Sequence, residues 1–202
     1  FSSTGSVYGE PNIFPTPEHA PFPIQTSLYA ASKLACEGLI PSYCEGYNFQ
    51  ANIFRFVSLL GNHYTHGHVF DFTKSLIKNP KELEVLGDGT QTKSYVNVQD
   101  CVEAMYLAEK KEVDKVEVYN IGDAEFITVK QSINYITNFM NVKPRLIFGG
   151  GKRGWVGDSP MIHLDNNKIK SLGWNQKFSI RESIEQTIEW LLQNKWVYKK
   201  RQ

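Results

Sequence analysis

Short apolar runs alternate along this chain with longer stretches whose apolar residues recur at helical spacing. The short runs predict strands at 51–57, 83–86, 95–98, 116–121 and 143–148. The longer stretches predict helices near 27–47, 69–78, 99–110, 128–140, 166–172 and 179–194. Because strands and helices alternate, the pattern predicts an α/β fold. The run 51–57 is typical of a strand inside a buried parallel sheet.

The polar segments between these elements supply helix caps and turns. Thr128 and Ser179 each precede a predicted helix and are good N-cap residues. Residues 9–28 contain five of the nine prolines and predict a loop that arches over a neighbouring site. Residues Phe1–Ser3 have the composition of a strand end. The Gly-rich segment 149–154 follows an apolar run, but no amphipathic helix starts after it, so a plain loop is favoured over a phosphate loop.

Composition restricts the classes of function. The chain has 202 residues, 41% apolar and 21% charged, which is typical of a globular protein with one domain or parts of two. A net charge of +1 with no basic stripe argues against a nucleic-acid binder. No stretch approaches the roughly 18 apolar residues of a membrane span. The three cysteines lack metal-like spacing, which favours reduced thiols and a cytoplasmic location.

Tyr29 and Lys33 are the first candidates for chemistry. They lie four residues apart in a predicted helix, so both side chains belong to one face. A neighbouring ammonium favours phenolate over phenol, which makes Tyr29 a candidate proton acceptor. The upstream small-residue loop could present Ser3 or Thr4 to the same substrate. Taken alone, a Tyr-x-x-x-Lys spacing is more often a surface contact than a catalytic pair.

Four motifs in order carry a resemblance to a known family. They are Ser-Ser-Thr-Gly-Ser-Val-Tyr-Gly-Glu-Pro at 2–11, Tyr-Ala-Ala-Ser-Lys-Leu-Ala-Cys-Glu at 29–37, Gly-Asp-Gly-Thr-Gln at 87–91 and Leu-Gly-Trp at 172–174. With them the chain resembles the extended short-chain dehydrogenase/reductase family, nearest to the NAD-dependent nucleotide-sugar epimerases of the UDP-glucose 4-epimerase type. The resemblance covers residue 1 to about 195.

The resemblance implies how the chain is organised. Residues 1–61, with 95–110 returning to them, would be the C-terminal part of a Rossmann-like parallel sheet. Residues 62–202 would mainly form a smaller α/β lobe that binds the nucleotide sugar. Family members open with a Gly-rich dinucleotide turn, which this chain lacks, so we expect it to be the C-terminal portion of a larger, N-terminally truncated enzyme.

The resemblance also implies roles for residues near the start of the chain. Tyr29 would take the proton from a sugar hydroxyl while hydride passes to NAD⁺, and Lys33 would assist the tyrosine and contact the nicotinamide ribose. Thr4 would hydrogen-bond the reacting oxygen, with Ser3 as the second choice. Ser3 and Phe56 are also expected to contact the cofactor.

Residues later in the chain would hold the nucleotide-diphosphate sugar. The implied set is Ser58, His68, Val69, Lys93, Arg153 and Asp158. Lys93 stands where the family usually has Arg, which keeps the charge and loses the bidentate fork. Ser58 stands where Asn is commoner, which leaves the sugar open. We expect no metal ion in His63-x-x-His66-x-His68, because only Asp71 lies near it as a further ligand.

The residues after Thr4 bear on the reaction type. Dehydratases of the family carry Asp-Glu there, whereas this chain has Gly5-Ser6. We therefore expect NAD-dependent epimerisation of a nucleotide-diphosphate sugar, of the UDP-glucose/UDP-galactose type, through a 4-keto intermediate. A related reductase, dehydratase or decarboxylase, or a non-catalytic sugar-nucleotide-binding fragment, stays open. In the family the tyrosine-bearing helix builds a two-fold dimer, so the resemblance implies a homodimer.

Overall fold

The structure is a computed structural model, and it describes residues 1–25, 27–111, 115–151 and 161–200. A 3-10 turn spans Gly5–Tyr8. The helices are α1 (Leu28–Tyr47), α2 (His68–Lys78), α3 (Val98–Glu109), α4 (Val129–Phe139), α5 (Asn167–Lys170), α6 (Ile180–Gln193) and α7 (Trp196–Lys200). The strands are β1 (Ala51–Phe56), β2 (Ser58–Leu60), β3 (Glu82–Val85), β4 (Thr92–Lys93), β5 (Tyr95–Asn97), β6 (Val116–Ile121), β7 (Ile127–Thr128) and β8 (Arg145–Phe148). The α/β prediction is confirmed, and every predicted element appears with its ends shifted by no more than two residues.

Parallel pairing dominates the strands, as the alternating pattern predicts. β1 pairs with β6, β2 with β5, and β3 with β8 in parallel, whereas the two-residue strands β4 and β7 pair antiparallel. On the other side of β1, Ser2 forms a parallel bridge to Phe54. β1 is therefore hydrogen-bonded on both sides, which explains why its last four residues are buried.

Two large apolar clusters, and a small third one around Phe70, Leu191 and Val197, form the interior of the described part of the chain. The first combines β1 and β6 with α3 and a later segment, and its largest buried side chains are Tyr8, Tyr119, Ile121, Ile169 and Trp174. The second packs α2, α4 and α6 against β3 and β5, with Leu76, Leu83, Ile133, Ile136, Ile180 and Ile188 at its centre. The first cluster begins at Val7 and the second at Leu60, close to the boundary expected near residue 61. However, β6 and residues 162–174 also return to the first cluster.

Helix α1 has a buried side and an exposed apolar side. Its buried residues are Ala30, Glu37 and Cys44, whereas Leu28 is 92% exposed and Leu39 is 58% exposed. Leu28 and Leu39 therefore point away from the first cluster, whereas Leu34 packs against it. The inward side is built from a small residue, a carboxylate and a thiol because it meets a polar network described below.

Polar contacts join the two clusters where β2 and β5 pair. The Gly61 backbone N–H donates to Thr187 Oγ1 at 2.7 Å, and the Thr187 hydroxyl in turn donates to the Ser183 carbonyl at 2.7 Å. Buried Asn97 donates to Gln186 Oε1 at 2.9 Å and to Ser183 Oγ at 3.2 Å. These bonds anchor α6 to the ends of two strands.

None of the helices in the described part of the chain combines the length and apolarity that crossing a bilayer requires. Cys36, Cys44 and Cys101 are all free thiols.

We expect Thr187→Val to destabilise the fold by about 1–3 kcal/mol, because valine keeps the shape but leaves the buried Gly61 N–H without its acceptor. Urea denaturation monitored by far-UV circular dichroism measures this change. Thr137→Val is the matched control, since Thr137 only donates to a carbonyl of its own helix. We expect it to change stability by less than about 0.5 kcal/mol. Equal effects of the two substitutions would contradict the role assigned to Thr187.

Candidate active site

Helix α1 presents Tyr29 and Lys33 one turn apart. Ser27 caps the helix by accepting a hydrogen bond from the Ala30 N–H at 3.4 Å. Tyr29 lies in the first turn and is 54% exposed. The Lys33 ammonium lies 5.9 Å from the centroid of the Tyr29 ring. The spacing that the sequence predicted therefore places both groups on the same part of α1.

The strand end Ser2–Thr4 lies against this part of α1. Lys33 Nζ donates to the Ser2 carbonyl at 2.8 Å. Thr4 caps the 3-10 turn, and its hydroxyl oxygen accepts from the Ser6 N–H at 3.1 Å. Its O–H proton stays available for another acceptor. The structure thus brings the helix of Tyr29 and Lys33 together with the strand end of Thr4.

Ser3 and Phe56 take part in the interior around this strand end. The Ser3 hydroxyl donates to the Glu37 carboxylate, so its proton is committed within the protein. Phe56 ends β1, is buried, and stacks on Phe54 with ring centroids 6.2 Å apart. Of the two hydroxyls that the sequence put forward, only that of Thr4 keeps its proton for a ligand.

A buried ion pair lies directly beneath the strand end. Arg55 Nη2 lies 2.6 Å from Glu37 Oε2, and both side chains are almost inaccessible to solvent. Arg55 Nε also donates to both carboxylate oxygens at 3.1 Å. The remaining guanidinium nitrogen, Nη1, donates to the Tyr8 hydroxyl at 2.6 Å and to the Glu18 carbonyl at 2.8 Å.

The ion pair shapes the protonation of its neighbours. Burial by itself lowers the pKa of Arg55, but hydrogen bonds to Glu37 and Tyr8 reverse this and raise it, so the guanidinium stays charged. Burial raises the pKa of Tyr8, although Arg55 opposes the rise, so Tyr8 stays a phenol at neutral pH. As a phenol it donates to Asn120 Oδ1 at 2.8 Å.

Glu37 and Arg55 were not predicted as site residues, although the sequence carries a signal for both. Glu37 lies four residues beyond Lys33 and therefore on the same helical face. Arg55 stands in the middle of an apolar strand, where a charged residue needs a partner. What the sequence could not supply is that these two residues pair with each other.

The second lobe places His68 at the first position of α2. Its Nε2 lies 2.6 Å from Ser132 Oγ, and its Nδ1 lies 3.1 Å from the Tyr95 hydroxyl. Burial, with a further contribution from the Lys93 charge, lowers the pKa of His68 to about 4. The imidazole is therefore neutral at pH 7 and links α2 to α4 and β5.

The other predicted substrate residues occupy different environments. Val69 is fully buried in the second cluster, so only its backbone can meet a ligand. Lys93 lies partly buried in β4, and Ser58 lies exposed at the start of β2. Arg153 and Asp158 lie outside the described residues. The structure thus gathers Tyr29, Lys33, Ser3 and Thr4 in one group and His68 with Lys93 in another.

Known proteins resemble this chain in sequence and in fold. Residues 1–122 match the model of the NAD dependent epimerase/dehydratase family. A putative UDP-glucose 4-epimerase of Methanocaldococcus jannaschii is 30% identical over 96% of this chain and 62% of its own length. A dTDP-D-glucose 4,6-dehydratase of Homo sapiens is 30% identical over 96% of this chain and 56% of its own length.

A solved structure extends the comparison to the fold. The UDP-glucose 4-epimerase of Thermotoga maritima, solved with UDP-glucose, is 31% identical and superposes with a TM-score of 0.81. The match covers 96% of this chain and 63% of that one. This chain therefore spans less than two thirds of the length of each of these proteins.

We expect the free energy of unfolding to decrease as the pH is lowered, because of His68. Its pKa is near 6.5 when unfolded and about 4 when folded, so the unfolded state binds more protons between these values. The stability that the neutral imidazole confers is present above about pH 6.5 and is lost as the pH falls towards 4. The loss amounts to at most about 3 kcal/mol.

The measurement is urea denaturation at pH 7 and pH 4.5 for the wild type and for His68→Gln, which cannot titrate. The loss of stability at the lower pH is expected to be smaller in this variant. His19→Gln replaces an exposed histidine and serves as the control, with the wild-type pH dependence. An undiminished loss in His68→Gln would rule out the assigned cause.

Proposed function

Because this chain belongs to the NAD-dependent epimerase/dehydratase family, we propose that the whole protein epimerises a nucleotide-diphosphate sugar with Tyr29, Lys33 and Thr4 as its proton-handling residues. One observation carries the proposal: Lys33 binds the Ser2 carbonyl at 2.8 Å and so brings the Tyr29 helix onto the strand end that ends in Thr4. Proton removal from a sugar hydroxyl needs an acceptor, and a hydrogen-bond donor to the same oxygen stabilises the charge that develops there. Tyr29 and Thr4 supply these two groups.

The cofactor proposed is NAD, and the residues around α1 fit it. The Lys33 ammonium and the exposed Tyr29 hydroxyl are donors suited to the ribose hydroxyls of a dinucleotide. When bound, the nicotinamide would take and return the hydride. The protein's part is to hold the Tyr29 oxygen beside the sugar hydroxyl, with Lys33 keeping the Tyr29 helix against the strand end, and to hold the same sugar oxygen with Thr4.

Space around Gly5 favours epimerisation over dehydration. A Cβ at Gly5 would lie 2.8 Å from Ile162 Cγ2 and 3.2 Å from the Phe56 carbonyl. The Asp-Glu pair that dehydratases of the family carry would therefore need this turn to shift. Without those two carboxylates, the residues at the strand end can move one proton but have no second acid to expel a hydroxide as water.

The second lobe would hold the nucleotide diphosphate. Helix α2 begins at His68 with Gly67 as its N-cap and no side-chain capping bond, so its first N–H groups point towards incoming anions. Lys93 adds a positive charge close to His68. This combination supports a diphosphate site between α2 and β4. The UDP-glucose bound to the relative from Thermotoga maritima makes a uridine-diphosphate hexose the first substrate to test.

The exposed stripe of α1 supports a homodimer. Leu28 and Leu39 are exposed on the helix, and Tyr43, Tyr47 and Phe49 continue it as a ladder of stacked rings, 5.5 and 6.1 Å apart. We propose that two copies pair through this helix. An apolar surface of this kind is typical of an interface.

The activity test uses the full-length protein with NAD and follows the interconversion of UDP-glucose and UDP-galactose. Tyr29→Phe removes the proton acceptor and is expected to lower kcat at least about 100-fold. Tyr106→Phe, which changes an exposed tyrosine of α3, should keep the wild-type rate. Wild-type turnover by Tyr29→Phe would refute the assigned role. Release of a deoxygenated keto-sugar would instead indicate a dehydratase.

The dimer test measures the mass in solution by light scattering. The wild type is expected at twice the chain mass, and Leu39→Glu at the monomer mass, because it places a charge within the apolar stripe. Leu86→Glu changes a leucine of the second lobe that is similarly exposed and should leave the dimer intact. A dimer that survives Leu39→Glu would place the interface elsewhere.

A further inference from the structure

Two residues one turn apart on α1 bind the strand end Ser2–Thr4. Lys33 Nζ donates to the Ser2 carbonyl at 2.8 Å, and the Glu37 carboxylate accepts a hydrogen bond from the Ser3 hydroxyl. Lys33 and Glu37 are one helical turn apart, so they contact consecutive residues of the strand. The Tyr29 helix is thereby tied to the strand end at two adjacent points.

Arg55 fixes the orientation of the Glu37 carboxylate. Arg55 binds it with Nε to both oxygens at 3.1 Å and with Nη2 to Oε2 at 2.6 Å. A forked pair of this kind fixes the plane of the carboxylate. Arg55 itself belongs to β1, which is bonded to β6 on one side and bridged to Ser2 on the other. The position of the Ser3 hydroxyl is therefore fixed relative to β1, through Glu37 and Arg55.

Fixing Ser3 also fixes Thr4. The backbone at Thr4 is extended, with φ −151° and ψ 146°. In extended backbone, successive side chains point to opposite faces. The Ser3 side chain points down to Glu37, so the Thr4 side chain points to the other face of the strand end. A change in the Ser3 anchor would rotate or shift the Thr4 hydroxyl.

We propose that Glu37 is a positioning residue, which acts through Ser3 to hold the Thr4 hydroxyl in register with Tyr29. The inference rests on the function proposed above. A buried ion pair is weak evidence for stability, because apolar residues of similar volume often stabilise a fold as well or better. The arrangement at Glu37 has a different consequence. It fixes the positions of α1, which carries Tyr29, and of the strand end, which carries Thr4, relative to the same strand β1.

The closing experiment compares Ser3→Ala, Glu37→Gln and Glu37→Asp in the full-length protein with NAD. Ser3→Ala is the most selective variant, because it removes the anchor and leaves the Glu37–Arg55 pair intact. We expect kcat for the UDP-sugar to fall about tenfold to a hundredfold in Ser3→Ala and Glu37→Gln, since a displacement of about 1 Å has effects of this size. KM should change less than about threefold. Glu37→Asp keeps the carboxylate and should recover part of kcat.

Two controls separate positioning from general loss of stability. Glu82→Gln makes the same chemical change in an exposed ion pair with Arg145 and should leave kcat unchanged. Thr187→Val, which is expected to destabilise the contact between α6 and Gly61 and has no hydrogen bond to the strand end, should also keep kcat. If Thr187→Val, despite its lower stability, loses as much kcat as Ser3→Ala, the effect is one of stability and the inference is overturned.

Amide hydrogen exchange gives a second readout that needs no activity. Exchange in residues 2–9 should be at least about threefold faster in Ser3→Ala than in the wild type, whereas exchange in α4 should be unchanged. If the wild type shows no epimerase turnover, the proposed function fails, and exchange alone decides whether Glu37 orders the Thr4 segment. Wild-type exchange in residues 2–9 of Ser3→Ala overturns the inference in either case.

Discussion

The buried guanidinium of Arg55 is the group to which much of the first half of the chain is bound. Its three nitrogens reach the Glu37 carboxylate on α1, the Tyr8 hydroxyl of the 3-10 turn and the Glu18 carbonyl of the Pro-rich loop. Removing a charge from water costs several kcal/mol unless its donors are satisfied. Each of these three segments therefore has to arrive at a defined distance from β1, or the burial of Arg55 becomes unfavourable.

The Pro-rich loop shows what this constraint achieves. Residues 9–25 contain no helix or regular strand, but their backbone is held by groups from the sheet. Asn120 of β6 donates its side-chain amide to the Thr16 carbonyl at 2.9 Å, and its backbone N–H donates to the Glu18 carboxylate at 3.0 Å. Tyr8 connects Asn120 to Arg55. A segment with few hydrogen bonds of its own is thus kept in place by a polar network beneath it.

Local signals explain which parts of the fold could be predicted from the sequence. Helices α4 and α6 have strong periodicity, which made the helical type predictable. Each also has a complete capping box, at Thr128 and at Ser179, which marks where the helix begins. The strands β2, β4 and β7 have two or three residues and are too short to show a period. They form only because tertiary pairing supplies their partners.

The candidate site divides in the same way. Tyr29, Lys33 and Thr4 were predictable because each belongs to a motif that is local in sequence. The Glu37–Arg55 pair joins residues 18 positions apart on two elements, and nothing within either segment specifies the other. The buried position of Glu37 on α1 could not be predicted either, because it depends on the carboxylate that Arg55 needs there.

The passage between the two lobes limits how far they can move apart. β1 ends at Phe56 and β2 begins at Ser58, so Val57 alone connects the first sheet to the second. Val57 is buried, and its N–H donates to the Ile121 carbonyl of β6 at 3.1 Å. Because both neighbouring strands are paired, this single residue has no freedom to act as a hinge. Phe56 and Ser58, which the resemblance assigns to the cofactor and to the sugar, are therefore held on either side of one buried residue, as a hydride passed between the two ligands would require.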